Sequence, residues 1–462
     1  MKTTKHILLL LLAALLLLTA CQAAPASSGS GTVPAASSGA PVAAPPAADP
    51  PAGEPDADPV PDPEPEPETP LYHLPADTDC DARLSHTGWH CLAETEDAYY
   101  AVQMYSHFVT VYDKATGEAY ALCGRPECSH DDPLCDAYVN TSAEFLTVYR
   151  GRLYWLGHDP MYRYRRDVPY DLSVWSMDLD GTNRTKVKDL PEEVWRGAIY
   201  DMYVHRGYVF LEQKNQTVTD GAPGMELIVY QAPLDRDGPF TALVYRKTES
   251  GDNQIKPVGD WLYVLTWDRL TSERPFHYTY RLSRFRLTDG QEEALLTWED
   301  THFTAYSMYG LYVDRNENVY LCGYDNSVGE TGGCGLVYRV TGGRAEKIMD
   351  FADPEVLFQI PMPTEDLIVA QTRTDDGKHL VWLRDMEGNT LYKGAWEPRY
   401  RRTGAGEELR FTLFFIGGER DYYLAFCLDM DTDGKYFLRF DVTPEGLTDT
   451  VLWRERLGVW NP

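Results

Sequence analysis

The sequence predicts an all-β fold, and within that class a β-propeller, most plausibly of seven four-stranded blades. Short apolar runs ending in aromatic residues recur along the chain, and Gly-containing turns separate them. Helical periodicity is scarce, whereas alternation and β-branched or aromatic residues are common. A repeat of about 50 residues that reads as four strands is the signature of a propeller. The 462 residues are therefore expected to hold one large domain rather than three ordinary ones.

The repeat is marked by one residue in the second strand of each unit. The successive spacings are 54, 54, 55, 57, 47 and 56 residues, and the seven marker residues are Tyr100, Tyr154, Tyr208, Tyr263, Tyr320, Leu367 and Tyr423. Seven units are counted in this way, with six or eight as alternatives because the ends are hard to assign.

The second unit predicts the strands of a blade most clearly. Its four strands A to D are predicted over Phe145–Arg150, Arg152–Gly157, Leu172–Leu179 and Arg184–Leu190. The dipeptide Asp180-Gly181 joins C to D, because Gly supplies the positive φ that a tight hairpin requires.

The first 20 residues predict a signal peptide. Lys2 and Lys5 precede an apolar run, Ile7 to Ala20, which is too short to span a membrane as a mature helix. Leu18-Thr-Ala-Cys21 resembles the lipobox of bacterial lipoproteins. The resemblance implies cleavage before Cys21 and lipidation (diacylation, the palmitate type of anchor) of its sulfur. A plain signal peptide is the alternative.

Residues 21–70 predict a lipidated cysteine followed by a disordered linker. Residues 22–70 contain 14 Pro, 8 acids and no Lys or Arg. Such a segment cannot bury enough apolar surface to offset its chain entropy, and its acidic end favours extended polyproline II. We interpret it as a spacer, with a Pro-rich recognition segment as the alternative. The propeller domain is predicted over residues 71–462.

The charge balance excludes one class of partner. With 42 basic and 71 acidic residues, the net charge is −29. Nucleic acid and anionic lipid surfaces both require basic footprints, so neither is expected as a partner. The membrane contact is expected through the N-terminal lipid only, on the extracytoplasmic face of a bacterial cell membrane. We expect a monomer.

Long connections predict where a ligand binds. In a propeller the A–B and C–D turns share one face, and the longer B–C and D–A loops share the other. Long loops on a rigid scaffold are where binding residues tend to lie. Several of these loops combine Arg with Tyr, which suits an anionic glycan, a peptide or a protein surface. The candidate ligand-binding residues are Tyr162, Arg163, Arg165, Arg166, Arg274, Arg399 and Arg402. The alternative is that these loops are solvated and pair with nearby acids.

A dense cysteine and histidine segment is the sharpest local signal. Cys123, Cys128, His130 and Cys135 have the spacing C-x4-C-x-H-x4-C. Three thiolates and an imidazole suit tetrahedral zinc, although the spacing is not that of common zinc fingers. Exported proteins often oxidise such thiols instead, which here needs an outside partner such as Cys91 or Cys427. Metal, disulfides and free thiols all stay open from the sequence, and the segment is expected on the face of the long loops.

Two further disulfides are candidates. Cys322 ends a B strand and Cys334 opens the neighbouring C strand, so their hairpin is expected to bring them close. Cys80 and Cys91 form a second local pair. Each short loop closed would stabilise the fold by roughly 2–3 kcal/mol.

Together these motifs resemble a known family. Gram-positive surface lipoproteins share a lipobox, a low-complexity spacer and propeller-like repeats. Many carry a phrase similar to Asp113-Lys-Ala-Thr-Gly117, followed by the Cys/His segment from Cys123 to Cys135. The resemblance covers nearly the whole mature chain. It implies a secreted, lipid-anchored propeller and no particular activity.

Two functions of different classes follow. The favoured one is a non-catalytic module that binds an extracellular glycan, peptide or protein. The alternative is an extracellular propeller hydrolase or lyase acting on a glycan, with its carboxylate pair near the central axis. The chain contains no HExxH, GxSxG or Walker motif.

Overall fold

The computed structural model of the chain describes most residues from 78 onward. These are residues 78–84, 92–102, 107–130, 133–139, 144–161, 171–219, 222–248, 251–271, 273, 275–306, 309–328, 333–374, 378–396, 411–429, 434–443 and 446–456. The predicted signal peptide, Cys21 and the predicted linker lie outside them. Among the described residues, no helix has the length and apolarity needed to cross a membrane.

The described strands form seven antiparallel sheets of one β-propeller, as predicted. Blade one contains β1 (Leu92–Glu94), β2 (Ala98–Val102), β3 (Val109–Asp113) and β4 (Ala119–Ala121). Blade two contains β5 (Glu144–Tyr149), β6 (Arg152–His158), β7 (Leu172–Asp178) and β8 (Thr185–Asp189). Blade three contains β9 (Ala198–His205), β10 (Tyr208–Thr219), β11 (Ala222–Pro233) and β12 (Thr241–Thr248). Blade four contains β13 (Asp252–Val258), β14 (Trp261–Arg269), β15 (Tyr278–Arg286) and β16 (Glu292–Asp300).

The remaining blades follow the same order. Blade five contains β17 (Phe303–Ala305), β18 (Leu311–Val313), β19 (Val319–Asp325), β20 (Gly335–Thr341) and β21 (Arg344–Asp350). Blade six contains β22 (Ile360–Pro363), β23 (Leu367–Arg373), β24 (His379–Asp385) and β25 (Thr390–Trp396). Blade seven contains β26 (Phe411–Glu419), β27 (Tyr422–Asp429), β28 (Gly434–Thr443) and β29 (Gly446–Arg456). One short helix, α1 (Glu192–Trp195), joins blades two and three.

The marker residues explain why the blades pack. All seven lie in the B strand of their blade, and all except Tyr208 are buried. Apolar clusters join every blade to the next, including blade seven to blade one. A large apolar or aromatic side chain repeated at one position, tyrosine in six blades and leucine in blade six, therefore contributes to the packing between blades.

The predicted turns also form. Gly117, Gly181, Gly290 and Gly388 all have positive φ, between 72° and 88°. Each lies in a C–D turn, where a residue with a Cβ atom would be strained. The four strands of blade two all begin and end within one residue of their predicted bounds.

Connection length divides by face, because antiparallel strands alternate in direction. The connections between strands A and B and between strands C and D contain at most seven residues. The longest of them joins β11 to β12 (234–240). Three of the others contain 22 (122–143), 14 (397–410) and 13 (159–171) residues. The long connections are therefore B–C and D–A loops, as the sequence predicted.

Blade five sends a side chain across the inner side of the ring. Its first strand is split into β17 and β18, both of which pair with β19. Between these halves, the hydroxyl of Tyr309 donates a hydrogen bond to the carbonyl oxygen of Phe415 in blade seven, at 3.1 Å. Blades five and seven both flank blade six, so this contact joins two blades that are not neighbours in the ring.

A second crossing is made by the N-terminal segment, Thr78–Leu84. Its first residues contact the A–B turns of blades three and four, and Leu84 bridges to Gly417 near the A–B turn of blade seven. The chain therefore joins the propeller on the face that carries the A–B turns.

Candidate metal centre

The Cys/His segment is an insertion into the outer strand of blade one. β4 is only three residues long, and its ladder continues when the amide of Leu122 donates to the carbonyl of Val109 at 2.8 Å. The chain leaves at Cys123 and returns, because the amide of Val109 donates to the carbonyl of Ala137 at 2.9 Å. Residues 123–136 thus leave and rejoin one edge of the third strand, β3.

The four predicted ligands converge in this insertion. The ligand atoms of Cys123, Cys128, His130 and Cys135 all lie within 4.8 Å of one another. The Nδ1 atom of His130 is 3.3 Å from the sulfur of Cys135. Tetrahedral zinc with bonds of about 2.0–2.3 Å sets its ligands roughly 3.5–3.8 Å apart, so this spacing needs little adjustment. The cluster can hold a metal ion.

Burial and hydrogen bonding make the thiols unequal. Burial raises the pKa of Cys135 to about 12. Burial also opposes ionisation of Cys123, but backbone hydrogen bonds at Arg125 and Asp136 lower the pKa of its thiol below the ordinary value. A guanidinium nitrogen of Arg125 lies 3.7 Å from the sulfur of Cys128. A metal ion would supply the positive charge that the buried Cys135 thiolate needs.

A second arginine, in blade two, holds the end of the Cys/His segment in place. Arg184 donates from one guanidinium nitrogen to the carbonyl oxygens of Cys135, Asp136 and Tyr138, at 3.0, 3.1 and 2.6 Å. Burial lowers the pKa of Arg184. Three carbonyl oxygens replace the water that this buried guanidinium has lost.

The C–D turn of blade two receives the start of the segment. The amide of Gly124 donates to the carbonyl of Gly181 at 3.3 Å. A Cβ atom on Gly181 would lie 2.7 Å from the carbonyl oxygen of Leu122, so only glycine fits this contact. The insertion lies within the D–A connection after blade one, as the sequence predicted, and its start contacts a C–D turn of blade two at the outer edge of blade one.

The structure does not bring Cys322 and Cys334 together. Cys322 pairs with Val337 in the β19–β20 ladder, whereas Cys334 lies three residues away from that position. At about 3.3 Å per residue the offset is about 10 Å, beyond the reach of a disulfide. An odd offset also turns the two side chains to opposite faces of the sheet. Both residues are free thiols.

The other cysteines that the sequence singled out are also separate. Cys80 is a buried free thiol that donates to the carbonyl of Pro257 at 3.3 Å. Cys427, the suggested outside partner of the Cys/His cluster, is buried in β27 of blade seven. Cys91 lies outside the described residues, so its pairing with Cys80 stays a prediction.

The candidate ligand-binding residues also lie outside the described part of the chain. They are Tyr162, Arg163, Arg165, Arg166, Arg274, Arg399 and Arg402. In the blade-four loop, described residues contact one another. The guanidinium of Arg269 lies 5.2 Å from the ring centroid of Phe276, and His277 lies 3.6 Å from the carboxylate of Glu299.

A buried charged cluster between blades three and four was missed by sequence reasoning. Asp201 and Glu212 are opposite residues of β9 and β10, and both side chains are buried. The ammonium of Lys214 lies 3.5 Å from Glu212 and 3.0 Å from Asp252. Burial raises the pKa of Asp201 to about 6 and the pKa of Glu212 well above its ordinary value. The i, i+2 spacing of Glu212 and Lys214 places both on one face of a strand and was the only sequence pattern that pointed to this cluster. The β-bulge beside Glu212 shifts the pairing with β9, so the sequence did not show that Asp201 lies opposite Glu212.

Acids near the axis are committed to ion pairs. Asp81, Glu94 and Glu419 all contact the guanidinium of Arg83, at 2.6, 3.3 and 2.6 Å. The Asp201–Glu212 pair is also inaccessible to a substrate, because Glu212 is only 1% exposed. Within the described residues, these two groups of acids therefore do not supply the accessible carboxylate pair of a glycan hydrolase.

Comparisons with known proteins gave matches among solved structures only. No protein-family model matches the chain, and no curated protein matches it. Among solved structures, it is similar to an acylaminoacyl peptidase from Pyrococcus horikoshii, at 11% identity and TM-score 0.46, covering 81% of this chain and 54% of that one. The β-propeller domain of the trilobed protease from Pyrococcus furiosus matches at 9% identity and TM-score 0.46, covering 79% and 98%. The polysaccharide lyase Uly1 matches at 11% identity and TM-score 0.43, covering 78% and 89%. The chain thus spans about half the length of the acylaminoacyl peptidase.

Proposed function

We propose that the protein is a lipid-anchored, extracytoplasmic binding module whose propeller grips an extracellular glycan, peptide or protein. The observation that carries the proposal is the division of connection length between the two faces. The A–B and C–D connections contain at most seven residues, whereas connections of 22, 14 and 13 residues lie among the B–C and D–A loops. Long loops on a rigid scaffold are where binding residues tend to lie.

The same division of faces favours binding over catalysis. A ligand gripped by long loops needs a rigid ring beneath them, and the two crossings made by Tyr309 and the N-terminal segment brace that ring. The carboxylates of Asp81, Glu94 and Glu419 contact Arg83, which favours a structural role for these three acids. Arg and Tyr in the long loops then supply the charge and the stacking surface for an anionic ligand.

We also propose that the Cys/His cluster holds zinc in a structural role. Four protein ligands complete a tetrahedral shell and leave no open position for a substrate, as in closed zinc sites. Zinc would cross-link the two ends of the insertion, which Arg184 and Gly181 hold against blade two. Its contribution would be local folding energy rather than catalysis.

The binding face is tested with the propeller and two substitutions. Residues 71–462 would be screened on a glycan array and in pulldowns from extracellular material. Arg165→Glu and Arg402→Glu should each weaken a hit by roughly tenfold or more, since they replace a positive charge by a negative one at the proposed site. Arg246→Glu is the matched control, because Arg246 lies on the outer strand β12 of blade three. Unchanged binding by the two loop variants would contradict the placement.

A further inference from the structure

Among the strands that the structure describes, none is shared between blades seven and one, where the ring closes. All four strands of blade seven come from residues 411–456, and all four of blade one come from residues 92–121. Propellers resist opening at the junction where their ends meet only if something joins the two blades. Here the N-terminal segment, Thr78–Leu84, lies at that junction, because Leu84 pairs with Gly417 and packs with Leu92.

The first half of this segment is held by blades three and four. The amide of Cys80 donates to Nδ1 of His205 at 3.0 Å, and its thiol donates to the carbonyl of Pro257. Asp79 forms an ion pair with Arg206 at 2.6 Å. Cys80 itself is 4% exposed, so the segment is part of the core here and does not rest on the surface.

Arg83 is the centre of the second half. Its guanidinium contacts Glu94 of blade one at 3.3 Å and Glu419 of blade seven at 2.6 Å. It also donates to the hydroxyl of Tyr422, which in turn donates to Glu94 at 2.6 Å. One buried cation thus joins the two blades that share no strand, and Asp81 holds the same guanidinium from within the segment at 2.6 Å.

The backbone beside Arg83 is fitted closely to blade seven. The amide of Gly418 donates to the carbonyl of Arg83 at 3.3 Å. A Cβ atom on Gly417 would lie 2.1 Å from that carbonyl, so a residue other than glycine there would displace the segment. From the other side, the ammonium of Lys256 in blade four donates to the carbonyl of Leu84 at 3.4 Å.

We propose that the N-terminal segment is a clasp that closes the propeller. It spans the axis from blades three and four to the junction of blades seven and one, and it takes the place of a strand shared between the terminal blades. The linker upstream is then a tether only, whereas Thr78–Leu84 belongs to the folded ring.

A proteolytic nick tests whether the segment binds by its own contacts. A specific protease site would be introduced into the full chain between residues 85 and 91, so that cleavage of the folded protein separates the segment from blade one. The cut N-terminal fragment should stay with the propeller through gel filtration. A site placed in residues 60–70 is the control, since cleavage there leaves the segment covalently joined to blade one.

The substitution Arg83→Met tests the centre of the clasp in the same nicked protein. It removes the cation that Asp81, Glu94 and Glu419 share, so the fragment should dissociate and the Tm should fall by about 5 °C or more. Arg246→Met is the matched control, because the Arg246–Glu292 pair at the surface should change the Tm by no more than about 1 °C. Release of the fragment from the unsubstituted protein, with no change in Tm or in resistance to trypsin, would overturn the proposal.

Discussion

Replacement of Cys135 by serine should abolish metal binding by the protein. Cys135 is the buried member of the cluster, and its sulfur lies beside Nδ1 of His130. Loss of a ligand removes one bond and one negative charge from a four-coordinate site, so we expect more than the roughly 10–100-fold loss of affinity that follows loss of a supporting contact. The full chain, purified without oxygen or chelators, should carry close to one zinc per molecule, and C135S should carry almost none.

The same variant should loosen the insertion in blade one. Without the metal, residues 123–136 lose the cross-link between their two ends, so limited proteolysis should cut there first. Cys322→Ser is the matched control, because Cys322 is another buried cysteine but lies in blade five, away from the cluster. C322S should retain its zinc.

One result would contradict the prediction that this segment binds zinc. Metal-free protein in which Cys123, Cys128 and Cys135 all react with a thiol reagent after denaturation would contradict both the metal and the disulfide interpretations of this segment. Peptide mapping by mass spectrometry identifies which cysteines have reacted.

The fold was predictable because its determinants are local and repeated. An aromatic residue such as Tyr154 in the second strand and a glycine such as Gly181 in a C–D turn act within one blade. Every blade needs the same packing and the same hairpin, so the sequence repeats the same pattern. Seven repetitions make the pattern visible even where a single unit would be ambiguous.

The details that escaped prediction depend on register or on distant contacts. The offset of Cys334 from Cys322 follows from strand pairing, which residue spacing does not reveal. The contacts of Arg83 with Glu419 and Tyr422 join residues more than 330 positions apart, so no local sequence pattern predicts them. The Cys/His ligands were found because they are close in sequence, but the contact of their segment with the C–D turn of blade two depends on residues of another blade, which local spacing does not reveal.

Stability should fall as the pH rises through the titration of the buried acids between blades three and four. Burial holds the pKa of Asp201 at about 6, whereas in the unfolded chain it has its ordinary value near 4. The folded state therefore binds more protons than the unfolded state over this interval, and the free energy of unfolding decreases with increasing pH. The stabilisation is complete below about pH 4 and is lost by about pH 7. Since one pKa unit corresponds to 1.36 kcal/mol, the change for Asp201 is roughly 3 kcal/mol.

Asp201→Asn should remove this dependence, because an amide keeps the shape of the carboxyl group and its oxygen can still accept the hydrogen bond of Tyr203. At pH 8 the variant should melt several degrees above the unsubstituted protein, since it no longer buries an ionised carboxylate beside Glu212. At pH 4.5, where Asp201 is protonated in the folded state, the two should melt within about 1–2 °C of each other. Asp289→Asn, at an exposed turn position, is the control that should show no such divergence. An equal difference in Tm at both pH values would show instead that the substitution acts through packing, and that Asp201 is not the group that titrates.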